Sequence, residues 1–263
     1  MHWILQENLF REHEWETLVS CLERHGIAYS VHKVIPFVGE LVPAAEPRHD
    51  KVVCFGSYSM RHTARALGWT PGVYDLFEHD FTVQCRHWGR ERMLNGDAEV
   101  VAFRDARLDR PAFVRPVDDS KYFAGAVFEP DAFNEWVHRV VALGEVDGTS
   151  LTGDTRVQIC APKTIHAEYR YWVVDGQIVT QSLYKRGNRV IYASEVDSRC
   201  SDYVRELVAL WQPARAFVVD VCDTPDGLRI VEINTINAAG FYAGDMQSIV
   251  LALEAMESAD AER

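Results

Sequence analysis

The 263-residue chain contains no run of eighteen apolar residues, so no membrane-spanning helix is expected. It has neither a CxxC pair nor an HExxH motif, and its ten histidines form no tight cluster, so the pattern does not point to zinc. The opening stretch, MHWILQENLFREHEWETL, lacks an apolar h-region and a small-residue cleavage site and does not read as a signal peptide. Positive charge is scarce: 27 Lys and Arg face 39 Asp and Glu, a formal net charge of -12. A surface of that sign repels phosphate backbones and anionic membranes, so no nucleic acid and no membrane is expected as a general partner. Internal repeats, low-complexity tracts and long flexible linkers are also missing.

What the chain does have is 48% hydrophobic residues, enough for a core, and a length that suits two or three packed subdomains. Cys21, Cys54, Cys85, Cys160, Cys200 and Cys222 lie far apart, several inside apolar runs such as VVCF and FVVDVC. That spacing reads as reduced, buried thiols in a cytoplasmic protein. The first 80 residues read as a small α/β unit, with an amphipathic helix at Glu12 to His25 and strands at Ala28 to Pro36 and Lys51 to Phe55. Gly56-Ser57 and a helix through Arg65 follow. Helical spacing from Phe81 to Val100 leads into a strand at Val100 to Phe103.

From Phe113 onward the chain is β-rich, with strand-like runs at Ala112 to Arg115, Arg156 to Cys160, Glu168 to Val174, Gln177 to Tyr184, Ala216 to Cys222 and Leu228 to Ile233. Helices at Pro130 to Leu143 and Asp202 to Trp211 interrupt them. Asp175-Gly176 and Pro225-Asp226-Gly227 supply tight turns between paired strands. Residues after about Met256 are small and charged and are expected to fray. Trp3, Trp15 and Trp88 suggest exposed aromatics and a homodimer contact.

Three segments carry chemistry. In FVVDVCDTPDGLRIVEINTINAAGFY, Asp220 ends an apolar strand, and Glu232 and Asn234 stand two apart on the returning strand, on one face. Two carboxylates and an amide carbonyl suit a hard, oxygen-seeking ion such as magnesium; solvent-facing acids on a hairpin fit the same letters. In AFVRPVDDSKYFAG, Arg115 and Lys121 are cations able to hold a polyphosphate, or plain surface charges. In VQICAPKTIHAEYRYWVVDGQIVTQSLYKRGN, backbone groups of Gln158, Ile159, Cys160 and Ala161 suit an adenine edge. There Glu168, Arg170 and Trp172 share a face, and Lys185 and Arg186 end the paired strand. A cross-strand Glu–Arg pair is the bland alternative.

In this order the three segments resemble the ATP-grasp superfamily over roughly Phe113 to Asp245, with Asp220 and Glu232-Ile233-Asn234 as the most specific part. The resemblance implies an α+β ATP-grasp fold, two α+β subdomains clamping ATP, with a small N-terminal α/β domain over 1–80 and the ATP-grasp domain over 81–258. Arg115-Pro116 in place of the usual Lys-Pro, with Lys121 beyond it, resembles a less-studied clade marked by Arg and Lys at the nucleotide site. It further implies ATP and Mg2+ as cofactors, with Asp220, Glu232 and Asn234 on the metal. Arg115 and Lys121 would then hold phosphates, Gln158 to Ala161 adenine and Glu168 the ribose, while Arg170 with Lys185 or Arg186 stabilises an acyl phosphate. Small-molecule or peptide carboxylates and amines are the implied substrates, with Asn237, Gly240 and Tyr242 near the amine. A small-molecule kinase and a non-catalytic nucleotide-binding regulator are the alternatives. Residues His32, Tyr58, Arg61 and His62 are read either as part of a carboxylate pocket or as ordinary surface groups.

Overall fold

The computed structural model describes residues 1–7, 14–76, 78–118, 123–144 and 151–261. In chain order the first elements are β1 (His2–Gln6), α1 (Trp15–Arg24), β2 (Ala28–Val34), β3 (Leu41–Val42), β4 (Lys51–Phe55), α2 (Met60–Ala66) and β5 (Thr70–Gly72). Next come α3 (Phe81–Trp88), β6 (Glu99–Ala102), β7 (Ala112–Pro116), β8 (Ala126–Phe128), α4 (Pro130–Leu143) and β9 (Arg156–Cys160). The last third holds β10 (Ala167–Val174), β11 (Gln177–Arg186), β12 (Arg189–Ala193), α5 (Ser198–Leu210), β13 (Ala216–Thr224), β14 (Gly227–Asn234) and α6 (Met246–Ala261).

Two compact units result. The first takes Met1–Leu76, His166–Asp223 and Ile230–Arg263, and the second takes Phe77–Ile165 with the hairpin tip Thr224–Arg229. Within the first unit one sheet runs β3-β2-β1-β4-β5 and another β12-β11-β10-β13-β14. β1 lies between two parallel partners, β2 and β4. Its Trp3, Ile4 and Leu5 are therefore buried in succession, with no polar alternation to mark a strand. Trp3, Leu5 and Phe55 share a core with Trp172, Phe241, Ile249 and Leu253, which joins the N-terminal sheet to the C-terminal elements.

The second unit is built on a four-stranded sheet, β6-β9-β7-β8. Its core is Val114 and Val157 packed with Phe103, Phe133 and Val137, the last two on α4. All six cysteines are buried thiols. Among the described residues no helix is long and apolar enough to cross a membrane.

Four expectations are corrected. α3 stops at Trp88 instead of running to Val100, because Gly89 turns the chain at φ 89. Arg90 then clamps the following loop by donating to the carbonyls of Gly96 at 2.6 Å and Ala98 at 2.7 Å. α5 begins at Ser198, not Asp202, because the Asp197 side chain caps it by accepting from the Arg199 amide. The chain after Met256 does not fray at once: α6 runs to Ala261, and Glu257 accepts from Tyr74 Oη at 2.8 Å and pairs with Lys51 at 3.1 Å. Trp3 and Trp88 are core residues rather than exposed ones, and Trp15 packs partly against the first unit's core, so they offer no dimer surface.

Two buried histidines share one hydroxyl. His2 Nε2 and His32 Nε2 lie 2.9 and 2.7 Å from Ser30 Oγ, His32 Nδ1 lies 2.7 Å from the Pro43 carbonyl, and the Arg48 amide donates to His2 Nδ1 at 3.2 Å. A carbonyl only accepts, so His32 holds its proton on Nδ1, takes the Ser30 proton on Nε2, and leaves Ser30 to accept from His2. Burial, then His49, Arg48 and His32, push the His2 pKa below 6.5. A folded-state value below the unfolded one means that this contribution to stability is present above pH 6.5 and is lost as pH falls. The urea midpoint of the protein is thus expected to drop between about pH 7 and pH 5, and to drop less in His2→Asn. Parallel curves for the two proteins would contradict it.

Candidate functional site

β13 runs Ala216–Thr224 through the interior with every residue but Asp223 buried. An aspartate in such a strand needs a partner. The antiparallel register puts Arg170 of β10 directly opposite Asp220. Arg170 grips it with both prongs, Nε to Oδ1 at 2.8 Å and Nη2 to Oδ2 at 2.7 Å, with Arg170 6% and Asp220 1% exposed. Burial raises the Asp220 pKa to about 6, Arg170 pulls it down, and the Glu232 and Glu168 carboxylates push it up again. Burial works against the Arg170 charge too, but Asp220 more than offsets that and raises its pKa, so the pair is ionised at neutral pH.

The hairpin turn at Pro225-Asp226-Gly227, with Gly227 at φ 99, returns the chain as β14. Strand alternation then presents Glu232 and Asn234 on one face. Asn234 Nδ2 lies 3.1 Å from Glu232 Oε1 and 3.4 Å from Asp220 Oδ2, so the three predicted ligands do converge. Glu168 is pinned by Lys185 Nζ at 2.6 Å and Tyr184 Oη at 2.9 Å. Arg186 is exposed beside the β11–β12 turn, and among the described residues it makes no hydrogen bond to this cluster.

In the second unit Arg115 of β7 faces Gln158 of β9 across the ladder. β9 pairs with β6 on one side and β7 on the other, so the backbones of Gln158 and Ile159 are inside ladders, and only Cys160 and Ala161 reach the strand's open end. Gln158 is 2% exposed; its Nε2 donates to the Pro116 carbonyl at 3.3 Å, while its Oε1 is buried with no partner. Burial raises the Cys160 thiol to about 11. Lys121 lies outside the described residues.

A family model of the ATP-grasp domain, family 3 of the clade named for its Arg and Lys residues, matches residues 54–253, more than half of the chain. The chain belongs to this family. No curated protein matches it. Among solved structures it is similar to the D-alanine–D-alanine ligase of Bacillus anthracis complexed with ATP, at 13% identity and TM-score 0.61, over 98% of this chain and 99% of that one. It is also similar to an L-amino acid ligase of Bacillus licheniformis, at 11% identity and TM-score 0.61, over 97% and 74%. A third is the ATP-grasp ligase PsnB complexed with a precursor variant, Mg and ADP, at 12% identity and TM-score 0.55, over 97% and 96%. These identities establish the ATP-grasp fold.

The acidic hairpin of this ATP-grasp chain passes a chemical test for a magnesium site. Its donor set is two carboxylates and one amide, all able to present oxygen. The Asn234 Nδ2 group, a donor of partial positive charge, stands between two carboxylate oxygens. Rotating that amide replaces Nδ2 by Oδ1 and leaves three oxygens facing one point. Each Asp220 oxygen that accepts from Arg170 keeps a second lone pair.

Asn237 belongs to the scaffold instead. Its Nδ2 donates to the Cys54 carbonyl at 2.6 Å, its Oδ1 accepts from the Tyr74 amide at 2.9 Å, and its own carbonyl accepts from the Gly56 amide at 2.8 Å. Asn237→Ala should cost about 1–3 kcal/mol, because it strands two buried backbone groups. A urea midpoint within error of the parent would contradict this. Tyr58 and Arg61 are likewise engaged: Tyr58 Oη donates to Asp75, and the Arg61 guanidinium sits 4.0 Å from the Tyr58 ring centre. His32 belongs to the buried Ser30 network, and His62 is half-buried on α2. Tyr184 and Tyr192, absent from the sequence-based set, stack on Tyr242 at 4.9 and 5.1 Å. Aromatics on both strands of one hairpin were the available signal.

Proposed function

We propose that this ATP-grasp protein is an ATP-dependent, magnesium-requiring carboxylate–amine ligase that releases ADP and phosphate. The supporting observation is the convergence of Asp220, Glu232 and Asn234 beside the buried Arg170. The proposed sequence has two displacements. A substrate carboxylate oxygen attacks the γ-phosphorus of ATP, the bond to the β-bridging oxygen breaks, and ADP leaves with that electron pair. An amine then attacks the acyl-phosphate carbon, the carbon–oxygen bond breaks, inorganic phosphate leaves, and the nitrogen loses a proton to give the amide.

The residues then take distinct tasks. Magnesium, when bound by Asp220, Glu232 and Asn234, supplies positive charge next to phosphate oxygens. Arg170 offers fixed positive charge where the acyl phosphate builds up, and its Nη1, only 3.3 Å from the Gly240 carbonyl, is the prong that does not hold Asp220. Glu168, already oriented by Tyr184 and Lys185, retains lone pairs for ribose hydroxyls. Arg115 and Lys121 are the proposed phosphate cations, and Cys160 and Ala161 the backbone that meets adenine. The unpartnered Gln158 Oε1 is a further acceptor on the same strand. The boundary near residue 80, an N-terminal α/β domain before the ATP-grasp domain at 81–258, is part of the same reading.

The test is ADP release with ATP and magnesium over pooled carboxylates and amines, with mass spectrometry of the products. A condensed product with ADP and phosphate in equal amounts supports the ligase. ADP with a phosphorylated product and no amine requirement would replace it by a kinase.

A further inference from the structure

Tyr184, Tyr242 and Tyr192 form a stack in which the middle ring, Tyr242, meets the other two at 19° and 28°. The stack starts at the buried end, where Tyr184 donates to Glu168, and finishes at Tyr192, which is 51% exposed. Packing uses the inner face of Tyr192 and leaves a flat, electron-rich outer face toward solvent. β12, which carries it, is an edge strand, with Val190 and Ile191 also exposed.

These rings already receive a cation from within the protein. The Arg170 guanidinium carbon lies 4.6 Å from the Tyr242 centre and 5.7 Å from that of Tyr184. The local field favours positive charge, since Glu168, Asp220 and Glu232 are all felt at Tyr184 or Tyr242. Tyr242 also holds φ 50, a left-handed conformation that a bulky aromatic rarely adopts. Gly240 helps to permit it: a Cβ there would come within 3.4 Å of the Tyr242 ring and 3.7 Å of Arg170. Arg189, three residues before Tyr192, points to the other face of β12, so its charge does not cap the open ring.

We propose that the outer face of Tyr192 is a recognition subsite for the acceptor amine, and that it selects acceptors carrying a second cationic group, a guanidinium or an ammonium. This rests on the ligase reading, since the acceptor is that reaction's nucleophile. A cation over an exposed ring is worth roughly a five-fold gain in affinity. The subsite makes specificity a property of β12, while bond formation stays with the hairpin ligands and Arg170.

The test is calorimetric titration of the full chain with agmatine, an amine bearing a guanidinium, and with butylamine, which lacks it. Agmatine should bind about five-fold more tightly to the parent and to Tyr192→Phe, and the two amines should bind alike to Tyr192→Ala. An unchanged thermal shift on adding ATP certifies that each variant is folded. Equal binding of the two amines to the parent, discrimination that survives in Tyr192→Ala, or binding of neither amine would overturn the proposal. ADP release over the amine pool is read separately: its absence alongside intact agmatine discrimination would count against the ligase reading and not against the subsite.

Discussion

Arg170→Met is expected to abolish ATP-dependent turnover and to lower the stability of the fold by about 3–5 kcal/mol. The stability loss follows from burial. Asp220 is 1% exposed and its two oxygens accept from Arg170 at 2.8 and 2.7 Å, so removing the guanidinium strands a carboxylate in the core. Its neighbours worsen matters, because Glu232 and Glu168 both disfavour its charge. The urea midpoint reads the first effect, and ADP release at saturating ATP reads the second. Adding Asp220→Asn to Arg170→Met should restore about half of the lost stability without restoring turnover, since a neutral amide no longer leaves a buried charge. A single variant as stable as the parent would show that water or another cation reaches Asp220, and would remove the physical basis for treating the pair as buried.

Glu232→Gln separates catalysis from stability in the opposite sense. Glu232 is half-buried on β14 and its Oε1 accepts from Asn234 at 3.1 Å, so an isosteric amide should change stability by no more than about 1 kcal/mol. Turnover should fall by about 10²–10³-fold, the scale set by deleting one group that stabilises developing charge. The magnesium concentration for half-maximal ADP release should rise in the variant, because one anionic oxygen has left the donor set. An unchanged rate with an unchanged magnesium requirement would remove Glu232 from the metal site. Together the two variants distinguish a residue that must hold the strand pair together from one that serves only the chemistry.

The acidic hairpin was legible because its signals are local. Alternation on β14 sets Glu232 and Asn234 on one face whatever surrounds them, and Pro225-Asp226-Gly227 can only be a turn. The order of the three segments, read together, was enough to place the chain among ATP-grasp proteins, in agreement with the family match over residues 54–253. Elements whose marks lie in partners far along the chain were missed. β1 carries no alternation because β2 and β4 cover it on both edges and helices and core cover its faces. α6 has its buried Met246, Ile249, Val250 and Leu253 at helical spacing, yet the small and charged residues after Met256 mask the last turn that Tyr74 and Lys51 hold in place.

Residue types alone therefore determined which chemistry this chain can do: oxygen ligands on a hairpin, an arginine on the neighbouring strand, and cations after an apolar strand. Register and packing decided how those groups are used. Arg170 meets Asp220 only because β10 and β13 pair antiparallel at that offset, and Asn237 is withdrawn into the scaffold only because β4 ends beside it. The tyrosine stack likewise joins residues from β11, β12 and the loop after β14, which no spacing rule connects. Side-chain chemistry is written residue by residue, whereas proximity between distant segments is a product of the whole chain's folding.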